Sequence, residues 1–224
     1  MKNRFLLNVI SGLITLLFTL NFTMSQAQTN DVKKDHLGFS VSFSSRFNKI
    51  TSNHAAIDNV KLVEEGASIG LVWGKDAVET KISIGYYYSA SSVPHTIDLV
   101  NLESSLSFYP LKAFSKGIQK VQPYLTTGLS GNNYKLYGYY SGTESNTNYS
   151  KSIEPYLGNV ISYFGSIGAG VEVNLLNEND FVKLFSEVNY HSAWYQNSSE
   201  LFSNTHISNQ LSINVGVSFG LNRY

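Results

Sequence analysis

The sequence predicts an all-β protein, an eight-stranded antiparallel up-and-down transmembrane β-barrel. Three observations lead there. Eight segments alternate apolar and polar residues with period two, and the connections between them alternate between long and short. The polar face of the segments is mainly Ser, Gly, Asn and Gln rather than the Lys, Glu and Thr of a strand face bathed in water. Composition agrees with one folded domain: of 224 residues 13% are aromatic and only 14% charged, too many rings and too little charge for a disordered chain. The absence of cysteine removes disulfides, thiolate metal sites and Cys nucleophiles.

Residues 1–27 read as a secretory signal. Lys2 and Arg4 form a basic start, an apolar stretch runs from Phe5 to Phe22, and Ser25-Gln26-Ala27 places small residues at −3 and −1 of a cleavage site. An uncleaved anchor is the alternative, but Asn8, Ser11 and Asn21 interrupt the stretch. The barrel domain is then expected to span 28–224. Beyond the leader no run of about 18 apolar residues occurs, which excludes a bundle of membrane helices. Taking Lys2 and Arg4 from the sixteen basic residues leaves fourteen against sixteen acidic ones, a net −2 with no electrostatic footprint for nucleic acid.

The segments follow in order. The first sets Leu37, Phe39, Val41 and Phe43 against Gly38, Ser40, Ser42, Ser44 and Arg46. The second carries Ala67, Ile69, Leu71 and Trp73 on its apolar face. In the third, Val78, Thr80, Ile82, Ile84, Tyr86 and Tyr88 oppose Lys81, Ser83, Gly85 and Tyr87. The fourth sets Val100, Leu102, Leu106 and Phe108 against Asn101, Glu103, Ser105 and Ser107. In the fifth, Pro123, Leu125, Thr127 and Leu129 oppose Tyr124, Thr126, Gly128 and Ser130 without declaring which face is which. The sixth sets Ile161, Tyr163, Ile167, Ala169, Val171 and Val173 against Ser162, Ser166, Gly168, Gly170 and Glu172. The seventh sets Val182, Leu184, Val188, Tyr190 and Trp194 against Lys183, Phe185, Glu187, Asn189 and His191. The eighth is the clearest, with Leu211, Ile213, Val215, Val217, Phe219 and Leu221 against Gln210, Ser212, Asn214, Gly216, Ser218 and Gly220.

The connections 48–66, 89–95, 133–158 and 195–206 read as mostly long, 75–77 and 176–179 as tight, and 111–120 as intermediate. That is the pattern of a barrel with one ragged and one trimmed end, and an even strand count returns both termini to the trimmed end.

Alternation alone does not say whether the apolar side lines a ligand cavity, as in a soluble lipocalin-like carrier, or faces lipid. Small polar residues fit the crowded interior of an eight-stranded barrel, so the apolar side is assigned outward. Phe47, Trp73, Tyr86, Tyr88, Phe108, Tyr109, Tyr190 and Trp194 lie near segment ends, where membrane–water interfaces collect aromatics. The inward face then carries Arg46, Lys81, Glu103, Glu172, Lys183 and Glu187. Lys81 and Glu103 face each other if their hairpin centres on Ser92, and Glu172 and Lys183 do so if theirs centres between Asn177 and Glu178. Two lumen ion pairs are therefore expected. A register two residues away would make them diagonal neighbours instead.

Several stretches resemble the outer-membrane β-barrel proteins of OmpA/OmpX-like type and the PorT-like barrels of Bacteroidetes. They are Leu106-Ser-Phe-Tyr-Pro110, Val121-Gln-Pro-Tyr-Leu-Thr-Thr-Gly128, Gly165-Ser-Ile-Gly-Ala-Gly-Val-Glu172, Leu184-Phe-Ser-Glu-Val-Asn-Tyr190 and Val215-Gly-Val-Ser-Phe-Gly220. The resemblance implies residence in the cell outer membrane, with outer-membrane lipid and the barrel-assembly machinery as partners and no cofactor.

Candidate chemistry is sparse. His206-Ile-Ser208-Asn209 resembles the His-x-Ser-Asn segment of outer-membrane lipid A deacylases. That likeness implies His206 as base, Ser208 as nucleophile and Asn209 beside the oxyanion. Spacing of two puts His206 and Ser208 on one strand face, but no acidic residue follows Glu200 to orient the histidine. His191 and Glu187 share the inward face, and two ligands do not make a metal site. Gly165, Gly168 and Gly170 mimic a nucleotide-binding spacing inside a strand with no helix after it, so close lumen packing explains them better. The expected function is non-enzymatic: envelope structure, adhesion or assembly, exercised through exposed loops. Loop 133–158, rich in Tyr134, Tyr137, Tyr139, Tyr140, Tyr149 and Tyr156, reads either as a contact surface for a partner or as rings that extend strands five and six above the membrane.

Overall fold

The computed structural model describes residues 36–52, 60–75, 77–90, 95–114, 120–138, 156–175, 182–198 and 204–221. Residues 1–27, the expected secretory signal, lie outside them. Period-two sequence becomes strand throughout: β1 (His36–Thr51), β2 (Val60–Lys75), β3 (Val78–Ala90), β4 (His95–Phe108), β5 (Val121–Gly138), β6 (Tyr156–Asn174), β7 (Val182–Ser198), β8 (His206–Ile207) and β9 (Gln210–Leu221). One short helix, α1 (Pro110–Phe114), follows β4 and begins on the proline whose ring pre-sets a helical first turn.

From β1 to β7 each strand pairs antiparallel with the next in sequence, β7 pairs with β9, and β1 closes the sheet by pairing with β2 on one edge and with β8 and β9 on the other. Leu37 opposes Leu221 and Phe47 opposes Leu211, so the first and last strands meet at the end that also carries the shorter connections. The eighth stave is interrupted. β8 pairs with Ile50 and Thr51, Ser208 and Asn209 break the ladder, and β9 resumes it. Nine ladder segments thus make a closed eight-stranded antiparallel barrel with no free edge to template aggregation.

The apolar side faces out. Phe43, Ile69, Leu102, Leu125, Ile167 and Val215 are all exposed, while Ser40, Ser42, Ser44, Asn101, Ser105, Thr126, Asn189 and Ser212 are buried inside. For β5 the outward set is Val121, Pro123, Leu125 and Thr127.

The long connections are shorter than the sequence suggests. β1 and β2 run into the expected 48–66 connection as far as Thr51 and from Val60; β5 and β6 run into 133–158 as far as Gly138 and from Tyr156; β7 runs into 195–206 as far as Ser198. Strands of 16 to 19 residues result in β1, β2, β5, β6 and β7. About 9–11 residues suffice to span a bilayer. The barrel therefore continues well past one membrane surface, at the end away from His36 and Leu221.

Candidate functional site

Side chains fill the lumen in layers. Nearest the termini is a charged layer. Lys183 Nζ lies 2.9 Å from Glu172 Oε1 and 3.3 Å from Glu79 Oε1. Lys112 reaches in from α1 to Glu79 Oε1 at 3.0 Å and packs on the Tyr109 ring. The Tyr109 hydroxyl stands 3.0 Å from both Glu79 Oε2 and Glu172 Oε2. Beside these, Glu187 accepts hydrogen bonds from Tyr124 at 3.0 Å, Asn189 at 3.0 Å and Asn214 at 2.8 Å, with Lys81 Nζ at 3.6 Å. A cavity of about 30 Å³ among Glu79, Lys81, Tyr109, Tyr124, Glu172 and Glu187 is the size of one or two waters.

The middle layer centres on Arg46. Its guanidinium donates to Tyr87 at 2.9 Å and Asn101 at 3.1 Å, and lies 3.7 Å from Glu103 Oε2. Gly85 makes room: a Cβ there would sit 2.6 Å from the Tyr87 ring. Glu64 accepts from Asn48 and Gln210, both at 3.1 Å, and His191 Nε2 meets Ser212 Oγ at 2.9 Å.

Beyond this layer the polarity inverts. Ile50, Leu62, Ile97, Leu99, Tyr134, Leu136, Val160, Phe164 and Ile207 point inward and form a buried apolar core. The outward positions beside them are Lys49, Lys61, Asp98, Lys135, Asn159 and His206. An apolar core inside a polar wall is the arrangement water demands. The lipid belt therefore ends where the alternation changes sense. Among the described residues, ion pairs occupy the lumen at the end where β1 starts and β9 stops, and hydrocarbon occupies it at the far end.

The predicted residues fall into this frame with several corrections. Lys81 faces Ser105, and Glu103 faces Ser83, two residues from the facing register expected. The closest ion partner of Lys81 is Glu187, across the lumen, and that of Glu103 is Arg46. Glu172 and Lys183 do meet, but diagonally, because Glu172 faces Phe185 and Lys183 faces Asn174. Tyr109 turns into the lumen rather than joining an outer girdle. Tyr134 is a buried core residue of β5, Tyr137 and Tyr156 are strand residues in edge contact at 5.9 Å, and Tyr139, Tyr140 and Tyr149 lie outside the described residues. Gly170 faces the Tyr124 ring, which a Cβ would meet in hard contact, whereas Gly165 has open space.

Sequence reading missed Glu79, Lys112 and Tyr124 as members of the charged layer. Glu79 carried a signal, since it precedes Lys81 by one strand period. Lys112 carried none, since its role depends on how a turn folds back.

His206 and Ser208 are both exposed at the β8–β9 break, and no hydrogen bond joins them among the described residues. Ser208 Oγ accepts from the Lys49 amide at 2.9 Å and donates to the Asn209 carbonyl at 3.1 Å. The Asn209 amide is committed as well: Nδ2 donates to the Tyr190 hydroxyl at 2.6 Å, and Oδ1 accepts from the Ala193 amide at 3.3 Å. These three residues close a strand break.

A barrel that is apolar outside and lined inside by buried polar and charged side chains is built for lipid. Closed barrels of this kind are the spanning elements of bacterial outer membranes, where every backbone group must be paired. Solved structures agree on the fold. The crystal structure of Neisserial surface protein A superposes with a TM-score of 0.52 at 14% identity, covering 81% of this chain and 96% of that one. The outer membrane protein OprG from Pseudomonas aeruginosa gives 0.49 at 12% identity over 85% and 98%, and Ail of Yersinia pestis 0.45 at 9% over 84% and 99%. The first carries the comparison. No protein-family model and no curated protein matches the chain.

Proposed function

We propose that this chain is a non-enzymatic outer-membrane β-barrel, non-conducting, that acts in envelope structure, adhesion or assembly through the end that rises beyond the membrane. The ion-paired and apolar layers that occupy the lumen support this reading, because a barrel blocked by them leaves only its outer surface and its loops to meet another molecule. The end at which β1 passes to β2 and β5 passes to β6 faces the outside of the cell in this reading, with α1, the start of β1 and the end of β9 toward the periplasm. Kinship with the OmpA/OmpX-like group, and more narrowly with PorT-like barrels, rests on the strand stretches quoted above, and membership implies insertion by the barrel-assembly machinery after removal of residues 1–27.

Planar-bilayer recording tests the central point: the purified, heat-modifiable protein should give no stable single-channel steps. Sustained open conductance would overturn it. The deacylase reading of His206, Ser208 and Asn209 is less well supported, because the asparagine amide is already used and, among the described residues, no carboxylate orients the histidine. Lipid A from cells making the intact protein or its Ser208→Ala variant should have identical acyl composition by mass spectrometry.

A further inference from the structure

The short helix α1 leaves most of one side uncovered. Phe114 is 86% exposed, more than any large apolar side chain on the described barrel wall, where Phe43 at 70% comes next. Leu111 lies three residues before it, on the same helical face, and is also exposed. The other side of the helix is committed. Lys112 reaches Glu79 at 3.0 Å and packs on the Tyr109 ring, and the Ala113 amide donates to the Tyr109 carbonyl at 3.2 Å. Turning α1 to bury Phe114 would therefore break its hold on the lumen.

What lies next to this face says what covers it. α1 starts two residues after Phe108, the exposed, outward last residue of β4, and runs beside β5, whose outward residues at this end are Val121, Pro123 and Leu125. Phe108 and Leu125 are cross-strand partners, so this stretch belongs to the lipid-facing wall. Five helical residues span only about 7 Å, roughly the thickness of one headgroup layer, so α1 stays at the depth where that wall ends. Its exposed side offers no polar side chain: Pro110, Leu111, Ala113 and Phe114 are apolar, and Lys112 is turned to Glu79. A protein partner is held by polar contacts around an apolar centre, whereas hydrocarbon asks for none.

We propose that α1 is a membrane-interface anchor whose Phe114, with Leu111 beside it, enters the hydrocarbon edge of the leaflet at this end, the inner one if α1 faces the periplasm. The helix is then tied on both sides, to the lumen through Lys112 and to lipid through Phe114. The anchor rests on the barrel spanning a membrane, which heat-modifiable mobility tests separately.

The experiment uses the purified full chain in phosphatidylcholine vesicles. Trp73 and Trp194 are both replaced by phenylalanine, and Phe114→Trp supplies the sole indole. Its emission should lie to the blue of an indole in water. Lipid brominated near the acyl carbonyls should quench it more strongly than lipid brominated at the chain ends, and iodide present on both sides of the bilayer should spare it. A second measurement leaves both tryptophans in place. The chain has no cysteine, so a nitroxide on Phe114→Cys is unique, and oxygen dissolved in lipid should relax it more than a water-soluble nickel chelate does. Quenching by iodide, or stronger relaxation by the chelate, would place Phe114 in water and overturn the proposal. Shielding from iodide and brominated lipid alike would assign the face to another protein or a second copy, and would overturn it equally. A protein lacking heat-modifiable mobility would instead refute the membrane reading itself.

Discussion

Arg46 shows how much one inward side chain organises and how far neighbour-by-neighbour arithmetic reaches. Its contacts lie on β3 and β4, through Tyr87, Asn101 and Glu103. Hairpin arithmetic considers only adjacent strands, whereas the bore of an eight-stranded barrel is narrow enough for Lys81 on β3 to meet Glu187 on β7. The inward placement of these charges was legible from parity; their partners were not, because they are set by the diameter. Removing one member of a buried pair leaves the other uncompensated. Arg46→Met and Glu103→Gln should each cost about 3–5 kcal/mol, and the double variant should recover part of the loss. Lys81 combined with Glu187→Gln should show larger coupling than Lys81 combined with Glu103→Gln, read from urea unfolding by gel mobility. Equal coupling would mean that the cross-lumen contact is not formed.

Strands were legible in type and fell short in length, for a physical reason. The reading expected apolar residues outward, and in the lipid belt they are, as at Ile84 and Val215. Above the belt the same period continues with its sense reversed, so Ile50, Leu99, Leu136 and Val160 on the inner face looked like loss of pattern and the segment like loop. The bulges hid more: the pairing shifts by one between Leu136 and Tyr137 and again between Tyr163 and Phe164, with Gly158 at φ 155° beside the first. The inversion predicts opposite tolerances. Arginine at Ile84 or Val215 should cost about 2–4 kcal/mol, whereas arginine at outward Thr51 or Asn133 should cost about 0–1. Leu99→Ala, beyond the lipid, should still cost about 2–5 kcal/mol because it opens a cavity in a packed core. Gly170→Ala should also destabilise, by about 1–3 kcal/mol, because the Tyr124 ring has nowhere to move without releasing Glu187. Equilibrium unfolding in lipid vesicles measures all six on one scale.

At the scale of the whole molecule, stability and recognition sit in different places. Closure, the lumen ion pairs and the apolar core lie within the strands, and the contact surface proposed here lies at the rim and in the connections it carries. The connection from Gly138 to Tyr156 is the longest, and its stems meet at the Tyr137–Tyr156 edge contact, so the barrel is already closed below it. Loop length enters stability only through the logarithm of the residues enclosed. Replacing 139–155 by a tight turn should therefore leave heat-modifiable mobility and the unfolding midpoint nearly unchanged. The same variant should lose whatever envelope or extracellular protein is recovered with the intact chain after gentle solubilisation of outer membranes, and proteases added to intact cells should cut the parent in this segment but not the variant. A shortened protein that fails to fold would make the segment part of the scaffold. One that keeps its partner would move recognition to 52–59 or 199–205, the connections that flank β1, β2 and β8.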